Sequence, residues 1–135
     1  MRQGRAAGNP QPSEREFAVL SALWSLGSGT VAEVRDELIA REEFEPAYTT
    51  VLTQLRVLEA KRWVRAVPEG RAHRYVPVLG LDDARRDAVA RVIGLLYDGS
   101  RERFLLSLVG DRHVGAPLLR RLKDLVERRL RDAAR

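Results

Sequence analysis

A run of hydroxyl-bearing residues opens the segment AYTTVLTQLRVLEAKR, residues 47–62, which otherwise has the leucine spacing of an amphipathic helix. On a helical wheel Thr49, Thr53 and Arg56 fall nearly opposite the leucines. Small side chains on an exposed face let a helix enter the major groove, where threonine brings a hydroxyl for base edges or phosphate and a methyl group for thymine. The segment therefore predicts a DNA recognition helix that uses Tyr48, Thr49, Thr50, Thr53 and Arg56.

Two simpler interpretations compete with this one. Thr49 and Thr50 could only cap and fill the first helical turn. The arginines that follow could be ordinary solvated surface charge. The charge distribution favours a nucleic-acid surface, because residues 14–45 carry a net charge of −5 whereas residues 47–75 carry +4. A basic segment beside an acidic one is typical of a surface oriented toward a polyanion.

The next segment, WVRAVPEGRAHRYVP, predicts a short two-stranded hairpin with a turn at Glu69-Gly70. Pro68 and Pro77 cannot donate hydrogen bonds to a ladder, so both strands should be short and edge-like. Basic side chains around such a turn can straddle a DNA backbone and hold phosphates, which positions the protein without reading sequence. The predicted phosphate contacts are Arg65, Arg71, His73 and Arg74. For Arg65 a solvated, charge-protected edge strand is a real alternative.

Capping boxes mark two helices ahead of the recognition helix. Ser13 and Glu16 begin the first, which should stop at Gly27, and Thr30 and Glu33 begin the second. Helix, helix, helix and hairpin is the order of a winged helix-turn-helix. The predicted fold is mainly α with a small β-hairpin: a winged helix-turn-helix followed by a three-helix dimerisation extension. The predicted domains are a disordered tail at 1–12, the DNA-binding domain at 13–78 and the dimerisation domain at 79–135.

Three further helices are predicted from Leu81 onward, with Asp82 and Asp83 as candidate caps of the first. Their apolar stripes total about fifty residues, which is near the lower limit for an independent core. We therefore expect these stripes to pack against a second copy of the chain, as a homodimer. The predicted dimerisation residues are Val92, Leu96, Phe104, Leu108, Leu118, Leu122, Leu125 and Val126.

Composition excludes several classes of function. The 135 residues include no cysteine, which removes disulfides, thiolate metal sites and cysteine nucleophiles. The sequence has neither a phosphate-binding glycine loop nor paired histidines, so we expect no enzyme, no cofactor and no metal site. No stretch is apolar enough to cross a bilayer, and we expect a cytoplasmic protein.

The runs AYTTVLTQLRVLEAKRWV and EGRAHRYVPV resemble the penicillinase repressor (BlaI/MecI) family, most clearly from Phe17 to Pro77. The resemblance implies a homodimeric transcriptional repressor that binds an inverted-repeat operator in double-stranded DNA, upstream of antibiotic-resistance or cell-wall-stress genes. It also implies release from DNA when a membrane sensor protease cleaves the C-terminal domain. Two other functions stay open: a winged-helix regulator released by a small molecule, and a winged-helix protein-interaction module.

Two departures from the family pattern concern the end of the recognition helix and the cleavage position. The family usually has glycine after the lysine that ends this helix, whereas this chain has Arg62, so the turn into Trp63 should be strained or differently closed. The family's Asn-Phe cleavage bond aligns with Ser107-Leu108, and neither residue matches. This predicts a partner protease of altered specificity or release without proteolysis.

Overall fold

The computed structural model describes residues 9–41 and 45–135. Within them lie six helices and two strands, in the order α1 (Glu14–Leu26), α2 (Val31–Ala40), α3 (Tyr48–Ala60), β1 (Val64–Glu69), β2 (Ala72–Pro77), α4 (Leu81–Leu96), α5 (Arg101–Val109) and α6 (Ala116–Ala133). The predicted winged helix-turn-helix and the three helices after it are confirmed. None of the helices in the described residues is long and apolar enough to cross a membrane. The chain divides into two compact units, Met1–Ala88 and Val89–Arg135, with the division inside α4.

Reciprocal capping boxes begin the first two helices, as predicted. The Ser13 hydroxyl accepts from the Glu16 backbone N–H and the Glu16 carboxylate accepts from the Ser13 N–H. Thr30 and Glu33 repeat this exchange at the start of α2. A capping box satisfies backbone donors that have no partner inside the helix. Gly27 ends α1 with a φ of 86°, a conformation that glycine adopts without steric cost.

The core of the first unit lies between α1, α2, α3 and the hairpin. Each helix contributes apolar residues at three- and four-residue intervals, and their side chains are fully buried. They are Val19, Leu20, Leu23, Val34, Leu38, Val51, Leu55 and Leu58. Trp63, Val64 and Tyr75 close the core from the side of the hairpin. This packing gives α3 one buried side and leaves its opposite side to solvent.

The two strands form an antiparallel hairpin, residues 64–77, which we call the wing. The register places Val64 opposite Pro77 and Glu69 opposite Ala72, so that Gly70 and Arg71 alone form the turn. Gly70 has a φ of 61°, the conformation that a type II′ turn needs at its first central position. A single bridge joins Tyr75 to Gly29 in the α1–α2 connection. The predicted short strands are confirmed, and β1 continues one residue past Pro68.

The turn from α3 into the wing is a Schellman motif built without glycine. The Trp63 N–H donates to the Leu58 carbonyl and the Arg62 N–H donates to the Glu59 carbonyl, both at 2.9 Å. Arg62 occupies the left-handed position with a φ of 66°. The helix end is therefore closed in the usual way, and the departure at Arg62 appears as local backbone strain.

Residues 9–12 of the predicted tail make defined contacts, whereas residues 1–8 lie outside the described part of the chain. The Trp63 indole Nε1 donates to the Pro10 carbonyl at 2.9 Å, and Lys61 Nζ donates to the Gln11 carbonyl at 3.0 Å. Pro12 is buried. These contacts hold the segment against the C-terminal end of α3.

The three predicted C-terminal helices are present, but α4 begins at Leu81, two residues earlier than a cap at Asp82 would allow. Asp82 and Asp83 lie in its first turn, where they pair with Arg85 and Arg86 rather than cap the helix. Negative charge there is still favourable because the helix N-terminus carries partial positive charge. In the single chain the predicted dimerisation residues are largely exposed: Leu96 is 77% exposed and Val126 is 53% exposed.

Candidate nucleic-acid interface

The exposed face of α3 carries the predicted base-reading residues. Tyr48, Thr49 and Thr53 are exposed and Thr50 is half-buried. The residue that caps the helix is Ala47, and no side chain caps its N-terminus. Thr49 and Thr50 therefore fill the first turn without capping it, and no side-chain cap occupies the first-turn backbone N–H groups. An uncapped helix N-terminus with no acidic residue in its first turn favours a nearby anion.

The Thr53 hydroxyl is held in one orientation by the helix itself. It donates to the Thr49 carbonyl one turn earlier at 2.9 Å. Its proton is thus used within the helix, while the residue as a whole is exposed. Such a side chain can accept a hydrogen bond from a base amino group and contact a thymine methyl.

A cavity of about 180 Å³ lies where α3 meets the wing. Tyr48 and Arg56 line it from α3, and Arg71, His73 and Tyr75 line it from the wing. These five side chains share one concave surface, which Val31, Leu52 and Ala72 also line, and Arg56 and Arg71 supply positive charge. The structure brings together predicted base-reading and phosphate-holding residues that lie up to 25 positions apart in the sequence.

Tyr75 forms the buried floor of this region. Its side chain is 3% exposed, and burial raises the pKa of its hydroxyl above the ordinary 10.0. The charge of Glu59 raises this pKa further, while the nearby Arg56 guanidinium acts in the opposite direction. Tyr75 therefore stays neutral, and it packs in the core that the wing shares with α3.

The strand register distributes the basic residues of the wing over both of its faces. Side chains alternate along a strand, and directly opposed residues share a face. Val76 opposes Arg65, so Arg65 shares a face with Arg74, whereas His73 lies on the face of Tyr75. The wing tip carries Arg71, one face carries Arg65 and Arg74, and the other face carries His73. The prediction that these residues hold phosphates stays a prediction.

Arg74 differs from the other basic residues of the wing because its guanidinium is hydrogen-bonded within the protein. Its Nε and Nη2 atoms lie 3.1–3.2 Å from the Glu69 carboxylate, and Nη1 donates to the Ser28 hydroxyl at 3.2 Å. Nη2 also pairs with Glu33 at 3.0 Å. The backbone N–H of Thr30, and then its hydroxyl and the charge of Arg74, hold the pKa of Glu33 below its usual value. Glu33 is therefore an ionised partner of Arg74.

Sequence reasoning did not find the contacts that position this surface. Lys61 links α3 to α1 through Glu16 at 2.7 Å, and Arg74 links the wing to the α1–α2 connection. The partners lie 45 and 46 residues apart, and no local pattern connects them. Glu16 and Glu33 each carried a signal as a capping-box residue, but a capping box does not show which cation shares its carboxylate.

The candidate cleavage position lies inside α5. The Ser107 hydroxyl is within 2.9 Å of the Tyr97 hydroxyl and donates to the Phe104 carbonyl at 2.8 Å, and Leu108 is 47% exposed in the single chain. A peptide bond in a regular helix is not extended, so a protease would need local unfolding of α5. In the described residues no three acidic or histidine side chains lie together in a group that could hold a metal ion.

Comparison with known proteins adds three findings. The model of the penicillinase repressor family matches residues 12–128. The transcriptional regulator BlaI of Mycobacterium tuberculosis, in strains CDC 1551 and H37Rv, is 39% identical over 103 residues, which is 75% of this chain and 72% of the relative. The solved complex of hsRosR-S4 has a similar fold, with a TM-score of 0.56 at 17% identity, over 96% of this chain and 97% of the other.

Proposed function

This chain belongs to the penicillinase repressor family, and we propose that it represses transcription as a homodimer that reads an inverted-repeat operator through α3 and the wing. Its relatives are transcriptional regulators, so the chain is a DNA-binding repressor and not an enzyme. The finer assignment is supported by one observation above all: Tyr48 and Arg56 of α3 share a concave surface with Arg71 and His73 of the wing. Base edges and phosphates of one duplex could be contacted there together.

In the proposed complex, α3 contacts the bases and the wing contacts the phosphates. Thr49, Thr53 and Arg56 read bases, with Tyr48 and Thr50 beside them, because they occupy the side of α3 opposite its buried leucines. Arg65, Arg71 and His73 hold phosphates, which gives affinity without sequence information. The uncapped N-terminus of α3 adds a backbone site for one phosphate.

Dimerisation through the second unit is supported by the apolar residues that a single chain leaves exposed. Leu96, Leu118, Leu125 and Val126 are each at least 45% exposed, and α6 carries its apolar residues on one stripe. Exposed apolar stripes of this kind mark an interface. Two linked winged-helix domains bind an inverted repeat far more tightly than one such domain binds a half-site.

The regulated genes and the release signal complete the proposal. By analogy with the family, we expect the protein to control antibiotic-resistance or cell-wall-stress genes. We expect it to act in the cytoplasm. Release by a membrane sensor protease would require cleavage at or near Ser107-Leu108, in a helix that must first open. Co-expression with such a protease, followed by mass spectrometry of the chain, tests this: a cut at that bond supports proteolytic release, and an intact chain on a derepressed promoter contradicts it.

The base-reading assignment is tested by comparing two arginine variants. Arg56→Ala should cost about 1 to 3 kcal/mol on the specific site and lower the ratio of specific to random-duplex affinity. Arg71→Ala should weaken all duplexes alike and reduce the salt dependence by about one unit of slope. Arg131→Ala removes the same charge in the last turn of α6 and serves as the control. An unchanged specificity ratio for Arg56→Ala would refute the assignment.

A further inference from the structure

The side chain of Arg74 is hydrogen-bonded to other side chains of the protein. An arginine has five N–H donors, and a phosphate is best held by two of them in parallel. Three of the nitrogens of Arg74 already contact Glu69, Glu33 or Ser28, at distances between 3.0 and 3.2 Å. A bidentate phosphate contact would have to break at least one of these interactions. The residue is also only 30% exposed, less than either carboxylate.

The neighbouring residue fastens the same strand to the same place through its backbone. The Tyr75 N–H donates to the Gly29 carbonyl at 2.8 Å, and the Gly29 N–H donates to the Tyr75 carbonyl at 3.0 Å. A Cβ atom on Gly29 would approach Val34 to 3.1 Å, so the close packing there depends on glycine. Two successive residues of β2, Arg74 and Tyr75, are thus joined to the α1–α2 connection, one by its side chain and one by its backbone.

Glu33 and Glu69 place negative charge on a surface that is proposed to bind a polyanion. Both carboxylates are about half exposed and lie on or beside the wing. Near DNA they repel phosphates, so charge alone predicts that removing either would strengthen binding. Glu69 belongs to the wing itself, whereas Glu33 belongs to α2. Of the contacts that Arg74 makes, only those to Glu33 and Ser28 therefore connect the wing to the helical body.

We propose that Arg74 is a positioning residue: through Ser28 and Glu33 it holds β2 on the α1–α2 connection, so that Arg71 and His73 face α3, and it does not contact DNA. This inference rests on the proposed function. It assigns Ser28 and Glu33 a part in DNA binding although neither touches the duplex. It also replaces the phosphate contact that the sequence predicted for Arg74.

Glu33→Gln distinguishes the two roles by the sign of its effect. Glutamine retains the capping box, so α2 keeps its N-terminal closure while the ion pair is lost. If Arg74 positions the wing, the affinity for a random-sequence duplex falls about two- to fivefold, which is the range that a partly exposed ion pair supplies. If Arg74 instead binds phosphate, the variant frees it and removes a repulsive charge. Unchanged or tighter binding would overturn the proposal.

Two further variants distinguish a loss of wing positioning from a general effect of the substitutions on charge or folding. Ser28→Ala removes a neutral contact with no change in charge, and it should also weaken binding, because Ser28 is the second link to Arg74. Glu69→Gln is the matched control: it removes the same charge but leaves both links to the helical body, and its affinity should be unchanged or higher. Weakening by Glu69→Gln as large as that by Glu33→Gln would contradict the specific role of Glu33. Melting temperatures measured in parallel show whether each variant is folded.

A double-mutant cycle completes the test. If Arg74 acts through Glu33, then Arg74→Gln weakens binding less in the Glu33→Gln background than in the wild type. An equal or larger loss in that background would show that Arg74 does not act through Glu33 and would refute the positioning role. If the wild-type chain binds no duplex, the proposed function is refuted. If the wild-type chain binds DNA tightly and the cycle is additive, only the positioning role is refuted.

Discussion

Replacing Arg62 by glycine should stabilise the protein. Arg62 has a φ of 66° at the position where the Schellman motif at the end of α3 needs a left-handed residue. Its side chain is exposed, and the motif's two hydrogen bonds are made by backbone atoms. Arg62→Gly therefore removes the steric conflict between Cβ and the carbonyl oxygen without removing a buried contact.

The expected gain follows from two opposing free energies. A non-glycine residue in the left-handed region costs about 1 to 2 kcal/mol. Glycine loses more backbone entropy on folding, which costs about 0.5 to 1 kcal/mol. The difference between the mid-range values predicts a gain of about 0.75 kcal/mol in the free energy of unfolding, within limits of about 0 and 1.5 kcal/mol. For a chain of this size, that corresponds to a rise of about 2 to 4 °C in melting temperature.

Thermal unfolding followed by circular dichroism measures this effect. Arg41→Gly is the matched control, because Arg41 also ends a helix and is exposed, but has a φ of −83°. Glycine there offers no relief of strain and should lower the melting temperature. Equal destabilisation by both substitutions would refute the reasoning, since it would mean that the left-handed conformation of Arg62 carries no cost.

Three other predictions concern the dimer interface and the titration of Tyr75 and Glu16. Leu125→Glu places a charge on an apolar residue that is 48% exposed in the single chain, and sedimentation should show monomers in place of dimers; an unchanged dimer would exclude this stripe from the interface. Burial raises the pKa of Tyr75, so its stability contribution is present below its unfolded pKa of about 10 and is lost as pH rises through the raised value. Tyr75→Phe should therefore lose less melting temperature than wild type above about pH 10; equal losses would contradict this. Burial alone would raise the pKa of Glu16, but hydrogen bonds from Lys61 and Ser13 lower it below 4.5. The stability difference between wild type and Glu16→Gln should therefore be present near neutrality and vanish as pH falls below that value; a difference that persists in acid would argue against the ion pair.

The elements of the fold follow from local patterns in the sequence. Ser13, Glu16, Thr30 and Glu33 begin two helices through interactions within four residues, and Gly70 closes a two-residue turn. Such contacts depend on neighbours in the chain, so their signals are visible without the structure. The leucine spacing of α3 likewise determines which of its sides is buried.

The connections between elements could not be predicted in the same way. Arg74 was predicted as a phosphate contact because it lies in a basic hairpin, but its partners Ser28 and Glu33 are more than forty residues away. Trp63 and Pro10 are joined across 53 residues. These contacts depend on how the helices pack, and a basic side chain has the same appearance in a sequence whether a carboxylate or a phosphate neutralises it.

Selection of bound duplexes from a random pool, with the full chain as bait, tests the central claim most directly. If α3 reads bases and the second unit joins two chains, the enriched duplexes will contain an inverted repeat with half-sites about one helical turn apart or a multiple of it. The Arg56→Ala variant should lose the preference at specific base positions within each half-site. Enrichment of no common sequence, or of a single half-site without its inverted copy, would contradict the account.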